Sequence, residues 1–430
     1  MRRAGRDAER RAGEWRWIGF GFVLTFSSSV GQTFFIGLFG ADIRADFGLS
    51  HGAFGGLYTG ATLAAGLAML WLGRIVDHGP LTLPTLGVFV ALAMATLGMG
   101  LAQGVAALVV ALFGLRLMGQ GLVGHVALTT MGRRPADRRG RVTALGALGF
   151  PAGEAILPPL VALALLTLDW RTLWMGTGAL LLVVMAPLAL ALVRGHEPTV
   201  RETEAHDRDD SARALGQGMR RTQMLRDRRF YALLPGVLAP PFMLTAVFFH
   251  QPAVAAAKDW PLLALASAYP AYAASAIAAS LLAGRIADRY GAAVLTAAYL
   301  WPLAVGLLLL AALSSTWIVA PALALFGATA GAATVLQTTL WAQLYGTRHL
   351  GEIRATVVAL VVSATAASPG IVGALLDAEV AVTTQLAVMG LYTGLVALWF
   401  LLLRTRLHSS RRKREIRDAV IPHQSPGESS

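Results

Sequence analysis

Long apolar stretches without a charged side chain dominate this sequence and limit the folds that it can adopt. Four of them cover residues 17–41, 172–193, 355–376 and 381–403. A helix of about 20 residues crosses roughly 30 Å of hydrocarbon, and a membrane excludes backbone that is not hydrogen-bonded within a helix or a closed barrel. Two longer charge-free tracts, 79–115 and 290–347, each hold more than one crossing. The sequence therefore predicts an all-α integral membrane protein.

Twelve transmembrane helices account for these tracts. Apolar residues make up 56% of the chain and charged residues 14%, which is a membrane-protein composition. The turns "QG" at 103–104 and "SST" at 314–316 divide the two long tracts. The predicted spans are 17–41, 52–72, 81–102, 105–131, 142–166, 173–193, 231–256, 262–284, 292–313, 317–341, 355–376 and 381–403.

The positions of the basic residues predict the orientation of the chain. Of 36 lysine and arginine residues, 32 fall at one face of a twelve-span topology. The opposite loops hold Arg44, Arg171 and Lys258, and Arg116 lies inside a predicted helix. Because basic loops are retained on the cytoplasmic side during insertion, we expect a multi-pass inner (plasma) membrane protein with both termini cytoplasmic. The net charge of +12 then reflects topology and does not predict nucleic-acid binding.

A short charged phrase occurs twice, as "GRIVD" at 73–77 and "GRIAD" at 284–288, 211 positions apart. The same offset aligns Tyr58 with Tyr269, so the repeat extends through the second and eighth spans. Since each copy holds an even number of spans, the two six-helix repeats are parallel. Parallel repeats are a transporter architecture, with the substrate bound between the halves near the membrane midplane.

The repeat also divides the chain into domains. Residues 195–229 mix both signs of charge, lack aromatic residues and separate the two sets of six spans, as a linker does. Its last part, 220–229, is a candidate interfacial amphipathic helix. The predicted domains are a cytoplasmic segment at 1–16, an N-terminal six-helix half at 17–194, the cytoplasmic linker at 195–229, a C-terminal six-helix half at 230–404 and a disordered cytoplasmic tail at 405–430.

Several kinds of chemistry have no support in the sequence. The absence of cysteine excludes disulfides, thiolate catalysis and cysteine-ligated metals. No HExxH, no GxxxxGK[ST] and no GxSxG nucleophile elbow on a strand and turn is found, and the nine histidines are scattered. We therefore expect no enzyme activity, no cofactor and no bound metal. A polytopic membrane enzyme, the alternative class, needs catalytic side chains clustered at one membrane face.

A twelve-span chain with Gly-x-x-x-Asp-Arg-x-Gly in the loops after spans 2 and 8 resembles the major facilitator superfamily of secondary transporters. The resemblance covers about residues 15–404. "RLMGQG" at 116–121 and "GFPAGE" at 149–154 are similar to the family's helix-4 motif and to the helix-5 motif of its antiporters. The resemblance implies that the two repeated motifs form a cytoplasmic gate. The implied gate residues are Gly73, Arg74 and Asp77 in the first copy, and Gly284, Arg285, Asp288, Arg289 and Gly291 in the second.

The acidic residues of these motifs need partners. Asp77 and Asp288 lie at the C-terminal ends of their helices, where the macrodipole disfavours an anion. We expect the partners to be the neighbouring arginines, or the N-termini of helix 11 for Asp77 and helix 5 for Asp288.

Two charged residues lie inside predicted helices, where an unpaired charge is costly. Helical rise places Arg116 about 16 Å and Glu154 about 18 Å from the outer ends of adjacent antiparallel helices. Opposite charges at one depth predict an ion pair. That pair is either structural, or Arg116 binds a carboxylate substrate and Glu154 carries a proton.

Five uncharged polar residues complete the candidate transport site. Gln32 follows a serine run in helix 1, and His250 and Gln251 precede a proline in helix 7. Interrupted helices at corresponding positions of two halves point to a binding site. Tyr58 and Tyr269 either pack at the interface between the halves or line the cavity.

We therefore expect a secondary active transporter of a small organic solute, best described as a small organic anion with possible proton coupling, which works by alternating access. The alternative within transport is a proton-coupled multidrug efflux antiporter. The expected partners are a small-molecule substrate, the lipid bilayer and protons, and we expect a monomer.

Overall fold

A computed structural model describes residues 2–73, 81–132, 136–193 and 218–420 of the chain, with side chains placed for 13–73, 81–132, 140–193 and 218–402. The predicted fold is confirmed: the chain is an all-α membrane protein of twelve transmembrane helices arranged as two halves of six. Eleven helices in the described part are long and apolar enough to cross a membrane. Helix α1 is interrupted and makes the twelfth crossing.

The first helix, α1, runs over Arg2–Ser28 and continues, after a 3₁₀ turn at Ser29–Gly31, over Thr33–Leu38. The others are α2 His51–Leu72, α3 Thr82–Leu101, α4 Val105–Gly132, α5 Gly140–Ala164, α6 Trp170–Val193, α7 Arg228–Phe249 with a continuation at Gln251–Ala256, α8 Leu262–Tyr290, α9 Ala292–Ala312, α10 Thr316–Tyr345, α11 Leu350–Asp377 and α12 Val382–Leu402.

Both predicted interruptions are present in the structure. In α1 the backbone of Gln32 turns to an extended conformation between the two helical pieces. In α7 the interruption falls at His250. Proline at 252 has no N–H, so the carbonyl of Phe248 lacks its helical partner there. The two interruptions leave backbone carbonyls free in the membrane interior, where other side chains must satisfy them.

The structure corrects two local predictions. The second charged motif is not a loop: α8 continues through Tyr290, so Gly284, Arg285, Asp288 and Arg289 lie in its last turns. Gly291 ends the helix with a φ of 83°, which favours glycine. The predicted amphipathic helix at 220–229 is a single turn over Arg221–Met224, and α7 already begins at Arg228.

We call the two ends of the bundle the Asp377 end and the linker end; the linker end is the one at which α2 ends at Leu72, α6 ends at Val193 and α7 begins at Arg228. The three basic residues predicted to oppose the others all lie at the Asp377 end. Arg171 donates hydrogen bonds to the carbonyls that end α3, and Lys258 does the same for α9. Cations at helix C-termini are favourable positions, so these residues stabilise the fold locally.

The two halves pack against each other mainly at the Asp377 end. Helix α2 packs along α11, α5 along α8, and α1 against α7. Glycines allow this close approach: a Cβ atom at Gly55 would collide with the backbone of Pro369, and one at Gly373 with the backbone of His51. Hydrogen bonds between the halves lie in the same region, as in Thr59 Oγ1 to the carbonyl of Ala366 at 2.6 Å. The bundle is therefore sealed at this end.

Candidate functional site

Arg116 lies at the centre of the N-terminal half, with 3% of its surface exposed. Its Nε donates a hydrogen bond to Thr62 Oγ1 at 3.1 Å, and its Nη1 donates to the carbonyl of Gly31 at 3.0 Å. The guanidinium also lies over the Tyr58 ring, 5.0 Å from its centroid. A cation over an aromatic face is favourable. These contacts hold the guanidinium in one position without neutralising its charge.

Two local irregularities make this position possible. Because α1 is interrupted, the amide of Phe35 bonds to Gln32 rather than to Gly31, which leaves the Gly31 carbonyl free to accept from Arg116. Helix α4 is wound as a π-helix over Leu115–Val123, a form found mostly at functional sites. Gly31 and Gly119 touch through their backbones, so α1 and α4 approach closely beside the arginine.

Arg116 has no acidic partner among the described residues. Two of the five N–H donors of the Arg116 guanidinium form hydrogen bonds within the protein. The described residues provide no acceptor for the donors on Nη2. A buried charge without a counter-ion is strongly disfavoured in a membrane. Among the described residues, the guanidinium therefore keeps its full charge and has N–H donors without acceptors.

Glu154 lies on the other side of the interruption in α1. Its neighbour Gly153 packs against the side chain of Ser29, so α5 approaches α1 as closely as α4 does. Glu154 is half-buried, and its carboxylate makes no ion pair or hydrogen bond with the described residues. Across the interface, Tyr269 and Tyr272 of α8 lie within electrostatic range of it.

The predicted ion pair between Arg116 and Glu154 is wrong. The prediction used depth alone, and depth does not fix the side of a helix on which a residue lies. In the structure α1 passes between the two side chains, and Arg116 bonds to Thr62 and Gly31 instead. The site thus holds two separate charges, one buried and one half-buried.

Aromatic rings close the site toward the Asp377 end. Phe249 of α7 stacks on Phe54 of α2 at 5.0 Å and lies against Tyr58 at 4.6 Å. On the other side, Tyr269 of α8 lies 5.9 Å from Phe34 of α1. We call these five residues the aromatic plug. Each of its contacts joins one half of the protein to the other, so the plug must separate if this end opens.

Polar groups of the plug are hydrogen-bonded. The Tyr58 hydroxyl lies 2.7 Å from Thr33 Oγ1. Gln251 is fully buried, accepts from the Tyr269 hydroxyl at 3.0 Å and donates to the carbonyl of Phe34 at 2.8 Å. Tyr58 and Tyr269 thus pack at the interface, and Tyr58 also contacts Arg116 from the plug.

The remaining predicted polar residues have different surroundings. His250 lies behind the plug, where its Nε2 is 3.0 Å from the carbonyl of Pro369 within its own half. Gln32 is half-buried beside the interruption in α1, and its side chain reaches only Ser28 Oγ, at 3.4 Å. Gln32 therefore lies near Arg116 and Glu154 in the candidate site, whereas His250 lies in the closed Asp377 end.

A carboxylate that sequence reasoning missed fastens the two halves at the outer edge of the plug. Asp377, the last residue of α11, accepts hydrogen bonds from Ser50 Oγ at 2.6 Å, from the amide of His51 at 3.0 Å and from the amide of Gly52 at 2.8 Å. These groups form the N-terminus of α2, whose free amides and dipole favour an anion. We call this contact the Asp377 latch.

Arg44 lies within electrostatic range of the latch from the short helix that follows α1. Burial lowers the pKa of its guanidinium, and the charge of Asp377 opposes that effect. The sequence "LSHG" at 49–52 is typical of a helix N-cap. It is the one feature from which an anion site at the N-terminus of α2 could have been predicted. The partner carboxylate lies 325 residues away, and no sequence rule pairs the two.

The gate motifs lie at the linker end. Gly73 accepts a hydrogen bond through its carbonyl from His125 at 3.2 Å, while Arg74 and Asp77 fall outside the described residues. In the second copy Asp288 is exposed and has no partner among the described residues, and Arg289 lies over the ring of Tyr290. The expected partner of Asp288, the N-terminus of helix 5, falls at residues 133–139, outside the residues whose side chains the structure describes.

No group of three or more metal-ligating side chains lies together in the described part of the chain. Among the described residues, the structure thus presents a buried cation, a half-buried glutamate and a seal at one end.

Comparisons with known proteins identify the family. The family model of the Major Facilitator Superfamily matches residues 21–374. An uncharacterized 38 kDa protein in the 23S RNA operon of Thermoproteus tenax is 29% identical over 263 residues, which are 60% of this chain. The match spans about three-fifths, 61%, of that curated relative.

Solved structures share the fold. A bacterial homologue of the human lysosomal transporter Spinster, in an inward-facing and occupied conformation, superposes with a TM-score of 0.66 at 15% identity, over 92% of this chain and 97% of that one. A mutant of the nucleoside transporter NupG superposes with a TM-score of 0.64 at 11% identity, over 91% and 99%. The chain belongs to the Major Facilitator Superfamily.

Proposed function

We propose that this transporter moves a small organic anion, which it binds through Arg116. The observation that carries the proposal is the buried guanidinium without a counter-ion, whose free donors point to a carboxylate or a similar planar anion. A neutral solute leaves that charge uncompensated. A cationic drug adds a like charge in a low-dielectric site, which disfavours the efflux alternative.

Alternating access is the proposed mechanism. The Asp377 end is closed by the aromatic plug and the Asp377 latch, while Asp288 at the linker end is exposed and has no partner among the described residues. This pattern is that of an inward-facing state if the linker end is cytoplasmic. Substrate then reaches Arg116 from the linker end, and the outward-facing state forms when plug and latch separate and the linker end closes.

A thermal-shift screen tests the substrate class. Purified protein is heated with short-chain carboxylates, neutral sugars and cationic amphiphiles at two pH values. Because a ligand that binds only the folded state raises its stability, carboxylates should raise Tm, and the Arg116→Met variant should not respond. A shift with sugars or cationic amphiphiles that persists in Arg116→Met would contradict the proposal.

Glu154 is proposed as the group that carries a coupling proton. Its carboxylate has no ion-pair partner or hydrogen bond among the described residues, so it can exchange protons without breaking a structural contact there. We expect Glu154→Gln to abolish accumulation driven by a pH gradient and to leave substrate exchange at wild-type rates. Parallel assays of Glu352→Gln, an exposed carboxylate at the linker end, provide the control. If Glu154→Gln still accumulates substrate when driven by a pH gradient, Glu154 does not carry the coupling proton.

The linker end is proposed to face the cytoplasm, as the distribution of basic residues predicts. The cysteine-free chain allows a direct test with single cysteines and a thiol reagent that does not cross membranes. In intact cells, a cysteine at exposed position 103 should react, while one at position 210 should react only after the membrane is opened. If position 210 reacts in intact cells and position 103 does not, the linker end faces outward and the proposed orientation is wrong.

Asp288 is proposed to form its gate contact only in the outward-facing state. Because Asp288 is exposed and has no partner among the described residues, Asp288→Asn should leave the inward-facing state unchanged and destabilise the opposite one. We expect slower transport and less labelling of the site from outside, with normal insertion. An unchanged transport rate would mean that the motif is only a solvated helix end.

A further inference from the structure

Two histidines, one from each half, face each other at the Asp377 end. His51 is the first residue of α2, and His250 lies at the interruption of α7. The centroids of their rings are 6.0 Å apart. His250 follows Phe249 of the aromatic plug and meets its ring edge to face at 5.0 Å, while the amide of His51 donates to Asp377 in the latch. The histidine pair is therefore joined to both contacts that must separate when this end opens.

The surroundings of the pair leave no room for a counter-ion. Arg44, His51 and His250 line a cavity of about 10 Å³, which holds one water molecule at most. Among the described residues, the charged groups within electrostatic range of both rings are Arg44 and Asp377. The Asp377 carboxylate already accepts the three hydrogen bonds of the latch, and Arg44 balances its charge. A proton added to either ring thus creates a positive charge that the described groups do not compensate.

The hydrogen bonds of the two rings fit neutral imidazoles. His250 Nε2 lies 3.0 Å from the carbonyl of Pro369, which can only accept, so Nε2 carries the hydrogen. His51 Nδ1 is enclosed and has no hydrogen-bond partner. An imidazolium carries a hydrogen on both nitrogens, so a protonated His51 has an enclosed donor without an acceptor. Two imidazolium rings at this separation also repel each other, and Arg44 repels both.

We propose that His51 and His250 form a proton-binding pair, separate from Glu154, and that proton uptake by this pair opens the Asp377 end. When plug and latch separate, the two rings move apart with their halves and come into contact with water. Protons then bind the open arrangement better than the closed one, and a ligand shifts a conformational equilibrium toward the state that it prefers. The inference rests on the proposed alternating access and not on the proposed substrate.

The test measures the distance between spin labels at Ala45 and Ala378, two exposed positions on either side of the Asp377 end. The protein is placed in lipid bilayers at about pH 7.5 and about pH 5.5, one unit on either side of the ordinary histidine pKa of about 6.5. Every chain carries Glu154→Gln, so that this carboxylate does not contribute. The ratio of long to short distances should rise about tenfold on acidification for each histidine that stays neutral in the closed state.

Histidine variants assign the response. His51→Gln and His250→Gln should each reduce the rise, and the double variant should abolish it. His349→Gln, the same change at the linker end, is the matched control and should keep the full rise. A ratio that does not rise on acidification, or a rise that persists in the double variant, would overturn the proposal. If one of the two single variants does not fold, the other decides against His349→Gln.

Asp377→Asn separates this inference from the proposals on which it rests. Loss of the latch carboxylate should raise the ratio already at about pH 7.5, and acidification should raise it further, because the histidines remain. If the response to pH disappears in Asp377→Asn, the proton binds to Asp377 and the histidine pair is not the site. If neither Asp377→Asn nor acid lengthens the distance, the Asp377 end does not open, and alternating access fails together with this inference.

Discussion

Asp377→Asn should open the Asp377 end of the transporter. The carboxylate accepts three hydrogen bonds from the N-terminus of α2, and asparagine turns an amide donor toward at least one of those donors. Hydrogen bonds to a charged group contribute about 1.5 to 3 kcal/mol each, and the dipole about 0.3 to 1 kcal/mol. A net loss of about 1 to 2 kcal/mol shifts the equilibrium toward the outward-facing state by a factor of about 5 to 30.

The measurement is the rate at which an impermeant thiol reagent, added outside intact cells, labels a cysteine placed at Thr33, on the site side of the plug. Asp377→Asn should raise that rate by about the same factor, 5 to 30. Asp169→Asn is the matched control, because Asp169 caps the N-terminus of α6 within its own half. Equal rates in Asp377→Asn and Asp169→Asn would show that the latch does not hold the closed state.

Arg116→Met should abolish transport and yet not reduce the stability of the protein. Truncating one partner of a buried charge pair costs at least about 2 kcal/mol, so affinity for an anion should fall about 30-fold or more. In the absence of substrate, however, Arg116 is a buried charge without a counter-ion, and such a charge costs at least about 2.5 kcal/mol in a membrane. We therefore expect an unchanged or higher Tm.

Thermal unfolding and substrate uptake of Arg116→Met and Thr62→Val test this pair of effects. Thr62→Val removes the Nε partner and keeps the charge, so uptake should fall only modestly. If Arg116 is purely structural, Arg116→Met lowers Tm and the loss of uptake follows from the loss of folded protein. That result would move the search for the binding site to Gln32.

The apolar runs contain almost everything needed to predict the fold. Helix boundaries follow them closely, and both interruptions coincide with residues that disfavour a regular helix, Gln32 after a serine run and His250 before a proline. The boundary errors are at the linker end, where α8, α10 and α11 continue beyond their apolar stretches into polar residues. A helix that emerges from the membrane no longer needs apolar side chains.

The candidate site was predictable only in part, because depth along a helix is encoded in sequence and the direction of a side chain across the bundle is not. Arg116 was identified by its charge in an apolar run. Its partners depend on the free carbonyl of Gly31 and on the π-helical winding of α4, neither of which follows from residue type. Asp377 was missed because it is an ordinary residue at the end of a helix, and its role exists only beside α2.

Alternating access makes the two ends of the bundle move in opposite directions, and spin-label distances measure this directly. One label pair, at Ala45 and Ala378, spans the Asp377 end, and a second, at Leu70 and Ala355, joins α2 and α11 at the linker end; all four positions are exposed. In lipid bilayers the wild-type protein should show a short first distance and a long second one. Asp377→Asn should lengthen the first and shorten the second in the same fraction of molecules. A variant that lengthens the first distance while the second stays fixed would contradict the coupling of the two gates, and with it the account of this chain as an alternating-access transporter.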